Sequence, residues 1–225
     1  TFNLCLVPTR IDVTPDGGGE HDERAVLGRP LEADRLYVMD RGYAKFALFN
    51  RIVKAESSYV CRLRDNSAPQ VLEDRPLTEE ARAAGVLSDQ LVHFANGKPE
   101  DQPDHPLRFV CVVTSQHTSR GKYGGGSTGP GSDGILRIAT NLLDVPAEII
   151  SLIYRFRWTI ELFFRFFKQI LGCRKLYFRS QNGIELQAYC AIIACMLLCL
   201  WTGRKPTKRT YEMVCYYVLG LATEA

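Results

Sequence analysis

A short stretch near residue 160 concentrates the side chains whose types and spacing could do chemistry. The pattern predicts a helix from about Asp144, its expected N-cap, to about Leu171. At about 100° per residue, one stripe of that helix carries a single carboxylate, three cations and two large aromatic rings: Tyr154, Arg157, Trp158, Glu161, Arg165 and Lys168. An acid suits a metal ion, cations suit phosphates and rings suit bases, so the stripe indicates a face that processes nucleic acid.

The opposite side of the same helix is apolar and is expected to pack on the core; it comprises Ile149, Ile153, Phe156, Ile160, Phe163, Phe167 and Leu171. A simpler interpretation of the polar stripe also stands. Arg157 and Glu161 are four residues apart, the spacing of an ordinary ion pair on a solvated helix face. Trp158 fits equally well as a half-buried packing residue.

The elements ahead of this helix predict an α/β layer. An apolar strand at 36–39 ends on Asp40, a helix follows from about Ala44 to Ala55, and a second strand covers 58–63. Strand, helix, strand order with buried strands places helices on the faces of a sheet. Asp40, an acid at a strand end, either caps a turn or serves a site.

Composition changes along the chain predict three parts. Residues 1–65 form the first part of the α/β core, with short strands at 3–7 and 10–14. Residues 66–134 contain six prolines and many turn residues, and form a mostly β insertion. Residues 135–225 return to the core and end in helices, one of which, about 184–201, is apolar on nearly every face and is expected in the core.

Charge and composition restrict the class of protein. The 225 residues are 46% hydrophobic and 24% charged, which is typical of a globular protein. Residues 151–225 have 11 lysines and arginines against 4 glutamates, and this basic part favours a polyanionic partner. Eight cysteines without a C-x-x-C pair fit reduced thiols in a cytosolic protein. The longest apolar run is 14 residues, short of the roughly 20 of a membrane span, so no membrane is expected.

The polar stripe also carries a family resemblance. Tyr154, Arg157, Glu161 and Lys168 match the spacing Y-x-x-R-x-x-x-E-x-x-x-x-x-x-K, and the chain resembles bacterial insertion-sequence transposases with a DDE catalytic core and an RNase H-like fold. The segment Asp-Arg-Gly-Tyr that begins at Asp40 is similar to the family's second-aspartate segment. Segments 59–64 and 140–144 extend the similarity over nearly the whole chain.

The resemblance implies an RNase H-like mixed sheet flanked by helices, and a metal site within it. Asp40 and Glu161 would be two of three carboxylates that hold a pair of Mg²⁺ ions, with Mn²⁺ as a substitute. The implied reaction is DNA cleavage at transposon ends and strand transfer into a target. We expect the two carboxylates to lie within roughly 4–6 Å of a common site, although they are far apart in sequence.

The remaining stripe residues would hold the DNA. Arg157, Lys168 and the Tyr154 hydroxyl would bind phosphates beside the cut, and Arg165 is a further candidate for phosphate contact. Trp158 would stack on a base extruded near the strand end. The implied partners are double-stranded DNA, as terminal inverted repeats and target, and a second copy in a homodimer, in the cytoplasm at the nucleoid.

One feature departs from the family pattern. The family's first catalytic aspartate lies on a strand upstream of those predicted at 3–7 and 10–14, and Asp12, Asp16 and Asp22 are not natural substitutes. The sequence is therefore interpreted as the C-terminal portion of a transposase that lacks one metal ligand. Two alternatives stay open: an inactive DNA-binding remnant or regulator of transposition, and a metal-dependent RNase H-like nuclease.

Overall fold

The computed structural model describes residues 12–14, 18–67, 69–94, 102–114, 133–158, 161, 177–203 and 207–221. The strands are β1 (Leu36–Met39), β2 (Ser58–Arg62), β3 (Gln70–Asp74), β4 (Val86–His93), β5 (Leu107–Val113) and β6 (Ile135–Thr140). The helices are α1 (Glu23–Leu27), α2 (Phe46–Lys54), α3 (Glu79–Ala83), α4 (Ala147–Phe156), α5 (Gln181–Thr202) and α6 (Lys208–Val218). The α/β prediction is confirmed, whereas the strand predicted at 3–7 lies outside the described residues.

The six strands form one mixed sheet in the order β1-β2-β6-β5-β4-β3. β1 and β2 are parallel, and every other neighbouring pair is antiparallel. Three strands from the predicted insertion, β3 to β5, therefore continue the sheet that contains β1 and β2. The domain boundaries at 65/66 and 134/135 stay a prediction.

The sheet is buried on both faces because its central strands alternate between two apolar clusters. On β5, Phe109 packs in a cluster with α2 residues such as Phe49, whereas Val110 packs on the other side with α3 and α4. Successive side chains of a strand point to opposite faces, so one strand can serve both layers. Helix α2 therefore covers one face, and α3 and α4 cover the other.

Helix α4 lies on the sheet by a face that only partly agrees with the prediction: Ile153 packs against the cluster as expected, whereas Ile149 and Phe156 do not. Its buried residues are Ala147, Ile150, Ser151 and Tyr154. Ile149 is 40% exposed and Phe156 is 62% exposed, so the prediction that they pack on the core is wrong. The side chains of Ala147 and Ser151 are small and let the helix approach the sheet closely, which brings the Tyr154 ring into the core.

The bounds of α4 also differ from the prediction. The N-cap is Pro146, without a side-chain cap, and not Asp144. The helix ends at Phe156, and the Arg157 N–H closes a tighter turn by donating to the Tyr154 carbonyl 3.1 Å away. Trp158 and Glu161 are again helical, and the rest of the helix predicted to Leu171 lies outside the described residues.

The chain divides into two compact units, one of residues 17–157 with the whole sheet, and one of residues 1–16 and 158–225. In the second unit α5 buries one face, including Cys195, Leu198 and Cys199, against α6. Leu197 and Leu200 of α5 are exposed, so the expected burial on nearly every side is wrong. Within the described residues α5 is the one helix whose length and composition would allow it to cross a membrane, a test that core helices of soluble proteins also pass.

A buried ion pair fixes the start of α4. Arg108 on β5 is 2% exposed, and its Nε and Nη2 atoms donate to Asp89 of β4 at 2.8 and 2.7 Å. The remaining nitrogen donates to the carbonyl oxygens of the loop before α4, those of Leu142 (2.9 Å), Leu143 (3.3 Å) and Val145. One guanidinium group therefore joins the sheet to the loop that begins α4.

We expect Arg108→Met to lower the free energy of unfolding by about 3–5 kcal/mol, because it leaves the Asp89 charge buried and unpaired. Urea unfolding measures this change. The exposed Arg64 is the control, since Arg64→Met removes the same charge and should change stability by no more than about 0.5 kcal/mol. Equal losses of stability in the two variants would contradict the stabilising role of the Arg108–Asp89 ion pair.

Candidate functional site

Asp40 follows β1 and is exposed, and its carboxylate is already held in one orientation. Its Oδ1 atom accepts a hydrogen bond of 2.7 Å from the Gly42 N–H and caps the 3₁₀ turn Arg41–Tyr43. A Cβ atom at Gly42, two residues after Asp40, would lie 3.0 Å from that oxygen and would crowd the carboxylate. The simpler interpretation of Asp40, a strand-end acid that caps a turn, is therefore observed, and it leaves the carboxylate at the surface.

The first strand pair ties Asp40 to the core. The parallel register pairs Met39 with Cys61, and the Cys61 thiol donates to the Asp40 carbonyl oxygen at 3.3 Å. Burial, with the nearby Asp40 charge as a smaller cause, raises the pKa of the Cys61 thiol well above its ordinary value. The thiol stays protonated and acts as a hydrogen-bond donor that holds the strand end.

Tyr154 packs on the sheet face that carries Val60 and Ile138, and Arg157 lies over its ring. The Tyr154 ring is buried with Val60 and Ile138, and the Arg157 guanidinium carbon is 5.6 Å from the ring centroid. Burial raises the pKa of Tyr154, while the positive charges of Arg157 and Arg62 act in the opposite direction. The tyrosine is thus a core residue whose hydroxyl lies in the field of two arginines, and it does not lie on an exposed polar stripe as expected.

The other predicted site residues belong to the second unit or are not described. Trp158 is 38% exposed, which leaves both of its interpretations open, and Glu161 is partly buried. Arg165 and Lys168 lie outside the described residues. No group of three or more His, Cys, Asp or Glu side chains able to hold a metal ion occurs within the described part of the chain. The expected approach of Asp40 and Glu161 stays a prediction.

Cys61 and Arg62 lie at the carboxyl end of β2 next to Asp40, and the sequence pattern did not identify them as site residues. A signal for Arg62 was present, because a single charged residue ends the otherwise half-apolar strand Ser58–Arg62. A charge in that position needs a reason, since strands buried on both faces are usually continuous apolar runs.

The chain is similar to one protein family and to three curated proteins that are all described as transposases. Residues 3–197 match the family described as Transposase DDE domain. A transposase of Sinorhizobium fredii is 29% identical over 85% of this chain and 49% of its own length. A transposase for an insertion sequence element of Geobacillus stearothermophilus is 28% identical over 88% of the chain and 47% of its own length. A transposase for an insertion sequence element of Synechocystis is 38% identical over 72% of this chain and 39% of its own length. The chain spans about half the length, or less, of these curated relatives.

We expect Cys61 to resist alkylation by iodoacetamide at mildly alkaline pH in the folded protein, because it is fully buried and its thiolate is disfavoured. The exposed Cys190 is the internal control and should react. Peptide mass spectrometry before and after unfolding in urea gives the modified fraction of each cysteine. Equal modification of both in the folded state would contradict the role of the thiol as a buried donor.

Proposed function

The chain belongs to the transposase DDE-domain family, and we propose that it forms part of an enzyme that cleaves DNA at transposon ends and transfers the strand to a target. The observation that carries this proposal is the exposed acid at the end of β1, Asp40, within a family match that covers residues 3–197. In this proposal the enzyme acts in the bacterial cytoplasm, at the nucleoid.

Asp40 and Glu161 are the proposed metal ligands. Carboxylate oxygens are the ligands that Mg²⁺ and Mn²⁺ prefer, and the exposed Asp40 carboxylate fits that requirement. The family pattern includes a third carboxylate, for which no residue of this chain is proposed. When bound, such a metal pair supplies Lewis acidity to activate a water or 3′-hydroxyl and to stabilise the leaving oxygen.

The chain's own cations and rings hold the DNA in this proposal. Arg157 and Lys168 bind phosphates beside the cut, with Arg165 as a further contact, and Trp158 stacks on an extruded base. The partly buried position of Arg157 over the Tyr154 ring supports its part, because a guanidinium fixed by an aromatic face loses less rotational freedom when it binds a phosphate. The complete enzyme acts as a homodimer on double-stranded DNA.

We expect Arg157→Gln and Lys168→Gln each to weaken binding of a fluorescent DNA duplex and to reduce the slope of log affinity against log salt by about one. Glu161→Gln should spare binding, because it removes no cation. Fluorescence anisotropy at several salt concentrations measures both quantities. Unchanged slopes for the two cation variants would contradict the proposed DNA-binding face.

Metal binding tests the catalytic part of the proposal. We expect Asp40→Asn to lower Mn²⁺ affinity by about tenfold, as the loss of a charged oxygen ligand requires, in calorimetric titrations of the chain bound to DNA. Asp74→Asn is a matched control, because Asp74 is likewise an exposed acid at a strand end and accepts a hydrogen bond from Gln90. Equal Mn²⁺ affinities for both variants and the unchanged chain would favour the DNA-binding remnant over the enzyme.

A further inference from the structure

The last residue of β2, Arg62, has a guanidinium group with incomplete hydrogen bonding. Its side chain is 17% exposed, and its Nε and Nη2 atoms are shielded from solvent without a hydrogen-bond partner. Nη2 lies 3.6 Å from Oδ1 of Asp65, and that oxygen also accepts no hydrogen bond. A separation of 3.6 Å is an ion pair but too long for a hydrogen bond. Buried donors are almost always satisfied in native proteins, so these two nitrogens keep hydrogen-bonding capacity that no group in the described part of the chain uses.

The position of Arg62 relates this group to the candidate site. Because Met39 pairs with Cys61 in parallel register, the next residues, Asp40 and Arg62, lie side by side on strands about 4.8 Å apart. Val60 packs in the cluster that contains Tyr154, and alternation along β2 puts Arg62 on the same face. The positive charge of Arg62 also acts on the Tyr154 hydroxyl.

We propose that Arg62 binds a DNA phosphate beside the Asp40 carboxylate, and that Asp65 holds the guanidinium in place until the phosphate replaces it. This inference rests on the proposed function, because it assumes that DNA passes over the end of β1. Arginine offers a planar fork that bonds two oxygens of one phosphate, and such charge-assisted pairs are stronger than neutral hydrogen bonds.

Asp65 suits this exchange because it holds the guanidinium by charge alone. The carboxylate screens the partly buried cation, whose desolvation would otherwise be costly. Since the pair at 3.6 Å has no hydrogen bond to break, a phosphate that supplies two hydrogen bonds competes successfully. Because Nε and Nη2 are shielded from solvent, the side chain turns outward when the phosphate replaces Asp65, so the DNA-free and DNA-bound states differ in the arginine rotamer and in its acceptor.

The first test compares Arg62 with an arginine of nearly equal exposure, Arg137. Arg137 on β6 is 16% exposed, but its guanidinium already bonds the Asp133 carboxylate at 2.7 Å. We expect Arg62→Gln to weaken binding of a fluorescent DNA duplex by about tenfold or more and to lower the salt slope by about one. Arg137→Gln removes the same charge and should change both quantities little. Urea unfolding verifies that each variant folds.

A double-mutant cycle tests the exchange with Asp65. We expect Asp65→Asn to tighten DNA binding in the chain that retains Arg62, and to have no effect together with Arg62→Gln. Arg62→Lys provides a variant that keeps the charge, and should retain the salt slope while it loses affinity, because an ammonium lacks the fork.

The outcomes separate this inference from the proposed function. If the unchanged chain binds DNA and Arg62→Gln behaves like Arg137→Gln, the phosphate contact is overturned while the proposed function stands. If Asp65→Asn tightens DNA binding equally with and without Arg62, the tightening is a general charge effect and the proposed exchange is overturned. If the unchanged chain binds no DNA at any salt concentration, the proposed function fails and this inference fails with it.

Discussion

The position of α4 depends on one buried guanidinium. Arg108 donates hydrogen bonds to Asp89 on the neighbouring strand and to the carbonyl oxygens of residues 142, 143 and 145. Arg75 adds a hydrogen bond of 2.6 Å to the Leu143 carbonyl. A loop without regular structure leaves backbone carbonyls unpaired, and here the side chains of Arg108 and Arg75 bond them. Because the loop leads directly into α4, this network sets the height at which Tyr154 and Arg157 meet the sheet.

The candidate site in residues 17–157 depends on a strand alternation that the apolar core imposes. Val38 and Val60 both pack toward the Tyr154 cluster, so the residues two places further, Asp40 and Arg62, emerge on that same face at the strand ends. Core packing therefore determines which side chains lie together beyond the last hydrogen-bonded pair. A slip of one residue between β1 and β2 would place a carboxylate and an arginine on opposite faces.

Local patterns predicted the strand at 36–39, the helix α2 and the acid at the strand end, because short-range alternation and turn chemistry determine those elements. The orientation of α4 could not be predicted in this way. Ile149 and Phe156 are more hydrophobic than Ala147 and Ser151, yet the smaller residues face the sheet, since closeness of packing and the Arg108 network override the hydrophobic pattern. Arg62 was missed because its position beside Asp40 depends on a strand register, which a linear pattern does not contain.

The cap at Asp40 has a consequence for the entropy of ligand binding. A free aspartate on a surface samples several rotamers, and ordering it costs conformational entropy when a ligand arrives. Here the Gly42 N–H has already selected one orientation during folding, and the absent Cβ at Gly42 leaves room for it. Whatever binds Asp40 meets a carboxylate whose direction was chosen before binding, so less of the interaction energy is lost to ordering the side chain.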